Sequence, residues 1–305
     1  MRFMHDKEQR ALVMGCGLAL ACIVFIVFAR FGANTPSTAT VYENILAQRR
    51  LLAQMGANLR QSAEMERNAV MVLSAESEGY AEQSRTAAAT LERELAALRS
   101  LVEATPMPNE KKLLEAFAAC WTELGALDRD ILQLAVANTN IKAAFLSREQ
   151  GEASLERFER ALAAIRASAA GGPEEYRVAE QTSQALIAAL KIFTLHAPHI
   201  VEADDDKMDR LEARMQAEEK VARHALATLE ANPGNENRGA LARAQAAFAE
   251  FTGLTAKTIQ LSRQNSNIKS LGLSMGKKRI VLARCEDGLA ALTEAVDDQT
   301  FKATK

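Results

Sequence analysis

The chain has little from which to build a sheet. Only 5% of its 305 residues are aromatic and only six are proline, and no segment sustains a period-2 alternation of Val, Ile, Thr and Tyr. That excludes sandwiches and barrels. It leaves Ala, Leu, Glu, Arg and Gln, residues that lose little side-chain freedom in a helix, so the expected fold class is all-α. The four cysteines lack CxxC or CxxCH spacing, and Cys120 and Cys285, on helical patterns, read as small buried hydrophobes rather than a disulfide or cofactor link. No polybasic patch is present and the formal net charge is −2, which argues against a nucleic-acid partner. Ser-His-Asp clustering, a Gly-rich phosphate loop and HExxH are absent too, so no catalytic residue is assigned and no enzyme is expected.

One long apolar run is present. Residues Ala11 to Ala29, ALVMGCGLALACIVFIVFA, carry no charge and as a helix would measure about 28 Å, close to the ~30 Å hydrocarbon core of a bilayer. Arg2, Lys7 and Arg10 precede the run, Arg30 follows it, and the next basic residue is Arg49. This bias predicts a cytoplasmic tail over 1–10, a transmembrane helix over 11–29 and a linker over 30–39, with the remainder outside. A cleaved signal peptide competes, but Arg30 and Phe31 stand where its small-x-small site would be needed. Cys16 and Cys22 suggest lipidation, yet apolar sequence continues past both. No segment after Ser37 reads as a second span.

The strongest helix breakers are TPMPN (Thr105–Asn109), AGGP (Ala170–Pro173) and NPGN (Asn232–Asn235), and they cut the exterior into four long stretches. Weaker interruptions fall at Ser74–Tyr80, at Asn138–Asn140, between Pro198 and Asp206, and at Asn265–Asn267. The segments ANTNIKAAFLS and QNSNIKSLGLS share a pattern at a spacing of 127. In the same register Glu123 meets Glu250, Leu127 meets Leu254, Arg157 meets Arg284, and Leu162-Ala163-Ala164 meets Leu289-Ala290-Ala291. Such self-similarity predicts a tandem repeat.

Each repeat reads as an up-down four-helix bundle, the first over 40–169 and the second over 174–297, with a C-terminal tail over 298–305. Leu113, Phe117, Cys120, Leu124, Leu127, Ile131 and Leu134 recur at steps of three and four, the stripe a bundle buries. Leu241, Ala244, Phe248, Phe251, Leu254 and Leu261 do the same. At Asn138 and Asn265 the spacing fits either a tight turn, capped by Thr139 or Asn140, or a continuous helix with a seam Asn. The first gives two bundles, the second one elongated bimodular bundle.

The run LLEAFAACWTELGALDRDILQLAVANTNIKAAFLS resembles the third and fourth helices of the four-helix-bundle sensor domain of methyl-accepting chemotaxis receptors. The resemblance extends over both repeats. It implies a bacterial inner-membrane protein in signal transduction and chemotaxis, whose periplasmic main domain binds a small molecule or a signalling partner chain. A homodimer is expected. Such receptors also carry a second membrane helix, a HAMP linker and a cytoplasmic coiled coil, and this sequence shows none of them. A scaffolding module without a ligand is the alternative.

Two candidate sites follow. Asn138, Asn140, Lys142 and Asn265, Asn267, Lys269 read first as architecture, since Asn favours turns and fixes register; the functional alternative has them hold a small carboxylate. His196, His199 and Glu202 could ligate a transition metal, although a bend with solvated histidines at Pro198 is the plainer reading. No cofactor is otherwise implied. Arg60, Arg67 and Arg85 lie where related sensors keep anion-binding arginines, but no motif assigns them.

Overall fold

The computed structural model describes residues 38–72, 74–104, 108–231 and 238–303. The tail, the membrane span and nearly all of the linker lie outside them. Among the described residues every regular element is helical. The helices are α1 (Thr38–Met71), α2 (Ser77–Ala104), α3 (Pro108–Ala137), α4 (Thr139–Phe145), α5 (Glu152–Ala169), α6 (Glu175–Val201), α7 (Asp205–Ala231), α8 (Arg238–Gln264), α9 (Ser266–Leu273) and α10 (Arg279–Ala303). Two π-helical turns, Leu146–Gly151 and Ser274–Lys278, join α4 to α5 and α9 to α10. Breakers act where their chemistry requires: Pro108 opens α3, needing no backbone donor there, and Gly171 takes φ 75° in the turn after α5. On α3 the buried stripe runs from Leu114 through Phe117, Cys120, Leu124, Leu127 and Ile131 to Ala135, one residue off the sequence pattern at each end.

The chain divides into two compact units. The described part of one comprises residues 38–55, 93–104, 108–116 and 288–303. It buries Ile45, Leu52 and Met55 of α1, Leu95, Leu98 and Val102 of α2, Leu114 of α3, and Leu289, Leu292 and Val296 of α10. Arg49 and Asp297 pair at 2.7 Å, both about half exposed, a geometry that contributes under about 1 kcal/mol. Glu110, in the first turn of α3, is buried with both carboxylate oxygens unpartnered, and burial pushes its pKa up to about 7.

In the other unit, residues 56–92 and 117–287, α5 joins α6, α7 and α8 around one core. Phe158 of α5 meets Phe248 of α8 at 5.2 Å between ring centres, and Leu155, Leu162 and Ile165 interlock with Ala185, Ile192, Leu226 and Phe251. Helix α5 therefore packs with α6, α7 and α8, across the expected boundary at 170–173. Residues 278–287, from the end of the second π-turn into α10, in turn join α1 and α3 through Cys120–Cys285, Glu123–Arg284 and the contacts of Lys278 with Glu66 and Asp128. Helix packing in this unit thus runs across the bounds 40–169 and 174–297 expected for the two bundles. Cys120 and Cys285 form a disulfide, Cα–Cα 5.6 Å, rather than two independent hydrophobes. Their pairing depends on α10 lodging beside α3, a contact that local spacing does not reveal.

The crossing is set at a junction. Asn138 and Asn265 adopt left-handed conformations, φ 49° and 52°, the only non-glycine residues described with positive φ. A left-handed residue costs an ordinary side chain about 1–2 kcal/mol, and Asn tolerates it best among them because its short amide can bond locally. One such residue ends α3 or α8, and the next helix starts immediately. The first amides of α4 and α9 are then capped by each other. Thr139 N donates to Ser266 Oγ at 2.9 Å and Ser266 N to Thr139 Oγ1 at 3.2 Å. Asn140 N donates to Asn267 Oδ1 and Asn267 N to Asn140 Oδ1, both at 3.2 Å. The sequence offers Thr139 or Asn140 as a cap of its own next helix; the reciprocal capping with Ser266 and Asn267 is not legible in it.

Helix α6 is long and apolar enough to cross a membrane by length and composition, contrary to the expectation that nothing after Ser37 qualifies. Its apolar face lies in the core, where Val178, Ala185, Ala188, Ala189, Ile192 and Leu195 are buried.

Two outcomes follow from these features. Asn138→Gly and Asn138→Ala both remove the amide, but only alanine keeps the left-handed strain, so urea unfolding will show the alanine variant less stable by about 1 kcal/mol. For Glu110, a carboxyl whose folded pKa is raised, stability is full below the unfolded value of 4.5 and falls as pH rises through about 7. Glu110→Gln is therefore expected to stabilise by about 1–3 kcal/mol at pH 8 and to be neutral at pH 4.

Candidate functional site

Both π-turns aim polar groups into the interior. The second ends on Lys278, which is 2% exposed. Its Nζ lies 2.6 Å from Glu66 Oε2 of α1 and 2.8 Å from Asp128 Oδ1 of α3. Glu66 Oε1 is buried without a hydrogen-bond partner. Two carboxylates thus face one ammonium, an excess of negative charge in a site largely removed from water, where each ion loses several kcal/mol of hydration. Burial raises the pKa of Asp128, Lys278 opposes the rise and Glu66 adds to it.

Beside this layer α1, α2 and α3 leave a cleft of ≈ 320 Å³. Asp128 and Trp121 line it with Gly125, Ser62, Ser84 and the rim residues Glu92 and Arg129. Ser62 and Ser84 each donate to the other's backbone carbonyl, at 3.2 and 2.9 Å, and hold α1 close to α2. A Cβ added at Gly125 would meet nothing within 4 Å. Glycine inside a helix costs about 1 kcal/mol against alanine, and no atom packs against this position. A second groove, ≈ 460 Å³, lies between α5 and α8 and is lined by Arg157, Arg160, Arg243 and Glu250. Its Arg157–Glu250 pair, 2.7 Å apart, is about half exposed and well screened.

The first π-turn carries Ser147 to His196. Thr255 gives its hydroxyl proton to Phe251 O at 3.0 Å, so His196 Nε2 donates to Thr255 Oγ1 at 3.1 Å and Nδ1 accepts from Ser147 at 2.8 Å. The ring satisfies both nitrogens while neutral. Burial, with the adjacent His199, lowers its pKa to about 4. His199 contacts Ser262 Oγ at 2.9 Å and Glu212 Oε1 at 2.9 Å. Burial pushes the Glu212 carboxyl up, but hydrogen bonds from Arg263 and His199 more than offset this and leave it below its ordinary value. This Ser-His-Glu line outwardly resembles a catalytic relay. Ser262, however, is fully buried and also bonds His199 O at 2.8 Å, so its hydroxyl meets no substrate.

The structure brings four of the predicted site residues together and leaves others apart. Asn138 Nδ2 donates to Ser74 O and Ser77 Oγ, Asn140 Nδ2 to Ile200 O and Asn265 Oδ1, and Asn265 Nδ2 to Glu202 O and Met208 Sδ. Asn267 Nδ2 donates to Asn138 Oδ1 at 2.8 Å. The donors a carboxylate would need are committed to protein acceptors, and Lys142 and Lys269 are exposed. His196 and His199 are 2% and 1% exposed, so the solvated-histidine reading is corrected: hydroxyls of neighbouring helices enclose them. Glu202 turns to the amides of Ala203 and Asp204. Among the described residues no group of three His, Cys, Asp or Glu is arranged to hold a metal.

Sequence reasoning missed Glu66, Asp128 and Lys278. A signal existed, since in the 127-residue register they fall on Phe193, Thr255 and Gly151. Three ionisable residues standing against an aromatic, a hydroxyl and a glycine in that register mark a place where the self-similarity breaks.

The depressed pKa of His196 carries a pH signature. Its contribution to stability is full above the unfolded value of 6.5 and lost as pH falls towards about 4. Urea titrations are expected to show a loss of up to about 3 kcal/mol across that window, and His196→Gln will lack this part of the slope.

No curated protein and no solved structure is significantly similar to the chain. Residues 18–169 match the family model described as the four helix bundle sensory module for signal transduction. The match takes in α1 to α5, and with them the Asp128 cleft. Through this segment, about half its length, the chain belongs to that family of sensory modules.

Proposed function

We propose that the chain is a single-pass inner-membrane sensor of a bacterium, anchored by residues 11–29, whose periplasmic helices bind a small solute in the Asp128 cleft. The observation that carries this reading is the cleft itself: a buried carboxylate, an aromatic wall and an unfilled glycine, all within the segment matched by the sensory family. Cys120–Cys285 supports the compartment, because disulfides persist in the periplasm and are rare in the cytosol. Binding beside Lys278, at the head of α10, would give ligand occupancy a mechanical route along that helix.

Two measurements test the proposal. Thermal-shift screening of the full chain in detergent against amino acids, organic acids and amines is expected to find one class that raises Tm in the parent protein and not in Gly125→Leu. Silence across the panel would favour the scaffolding role. Alkylation of thiols in intact cells should find Cys120 and Cys285 blocked until a reductant is added; free thiols in growing cells would place the helices in the cytosol instead.

A further inference from the structure

Glu66, Asp128 and Lys278 form a buried layer of two carboxylates and one ammonium; Asp128 opens onto the ≈ 320 Å³ cleft, while Glu66 and Lys278 line a separate, much smaller pocket of ≈ 50 Å³ with Arg67 and Arg279. A carboxylate taken out of water needs a proton, a metal or an organic cation to compensate it. Lys278 supplies one positive charge for two carboxylates, and Glu66 Oε1 has no hydrogen-bond donor at all. No third His, Cys, Asp or Glu stands by to complete a metal site among the described residues. At the rim Glu92 and Arg129 cancel in formal charge, and Arg85 is engaged by Glu78 at 3.0 Å and Glu82 at 3.1 Å. Asp128 is thus the charge that decides what enters. Trp121 adds a wall of the kind that attracts cations through its π-face.

From this geometry we infer that the cleft takes a small primary amine, whose ammonium group joins Lys278 on Asp128 and neutralises the layer. The inference rests on the sensor reading above and names the ligand class of that same site. An ammonium has three donors and no acceptor, which suits a wall offering a carboxylate and the hydroxyls of Ser62 and Ser84. The volume, ≈ 320 Å³, is at the low end of small-molecule sites and fits a short aliphatic chain over Ala88 and the open Gly125. A dicarboxylate is disfavoured here, since it would bring further negative charge to a layer already in excess.

The test uses the full chain in detergent with 1,4-diaminobutane, its neutral isostere 1,4-butanediol, and succinate as probes of equal length and different charge. The diamine is expected to raise Tm by several degrees at millimolar concentration, while the diol and succinate leave it unchanged. Asp128→Asn removes the charge and Gly125→Leu fills the cavity while retaining Glu66, Asp128 and Lys278; each should abolish the diamine shift, with the Gly125 variant keeping the parent's own Tm or exceeding it. A shift by succinate or the diol that Gly125→Leu abolishes would overturn the amine assignment and leave the cleft as a sensor site. A diamine shift that survives Gly125→Leu would put the amine elsewhere and overturn both. No shift from any of the three probes would overturn the amine assignment, and the broader solute screen then decides the sensor reading separately.

Discussion

Four residues that cap one another hold the architecture together. Thr139 and Ser266 exchange backbone and hydroxyl contacts, and Asn140 and Asn267 do the same one position on. A helix normally finds its caps in its own sequence or in water. Here the two helices that begin after Asn138 and Asn265 each supply what the other lacks, in a buried setting where an unpaired amide would cost about 1–3 kcal/mol. That reciprocity favours the crossing of α4–α5 onto α6–α8 over a return along α3. The two left-handed asparagines are its conformational cost, offset by the amide bonds each makes to Ser74, Ser77 and Glu202.

From the crossing follow the features that give the molecule its chemistry. Lys278 reaches Glu66 and Asp128 because the second π-turn delivers the start of α10 to α1 and α3. Ser147 reaches His196 because the first π-turn does the same for α5. Positions 127 residues apart carry different chemistry. One side is ionic, with Glu66, Asp128 and Lys278; the other is neutral, with Phe193, Thr255 and Gly151 around a histidine that burial keeps uncharged. A π-turn adds one residue to the backbone circuit, so it re-aims a side chain without ending the helix, which is why such turns recur at functional positions.

The sequence carried much of this, but in uneven portions. Helix content and the breakers at Pro108 and Gly171 were readable because they depend on local chemistry. The 127-residue spacing announced the Asn motif, yet a cap looks the same whether it serves its own helix or another, so the direction of Thr139 and Ser266 was hidden. The same limit hid Cys120–Cys285, which are 165 residues apart and share no local pattern. His196 and His199 suggested a metal by their spacing, but spacing is silent about the hydroxyls of Ser147, Thr255 and Ser262 that approach from other helices. Asp128 was passed over because one acidic residue beside an apolar stripe is ordinary on a solvated helix face; only burial makes it unusual.

Because α5 completes the core of α6–α8 and the start of α10 completes that of α1–α3, the two sequence halves are not interchangeable parts. A fragment cut near residue 170 would leave a hydrophobic strip without its cover and a slot without its occupant. Natural recombination or laboratory grafting at that boundary would therefore carry over an open core.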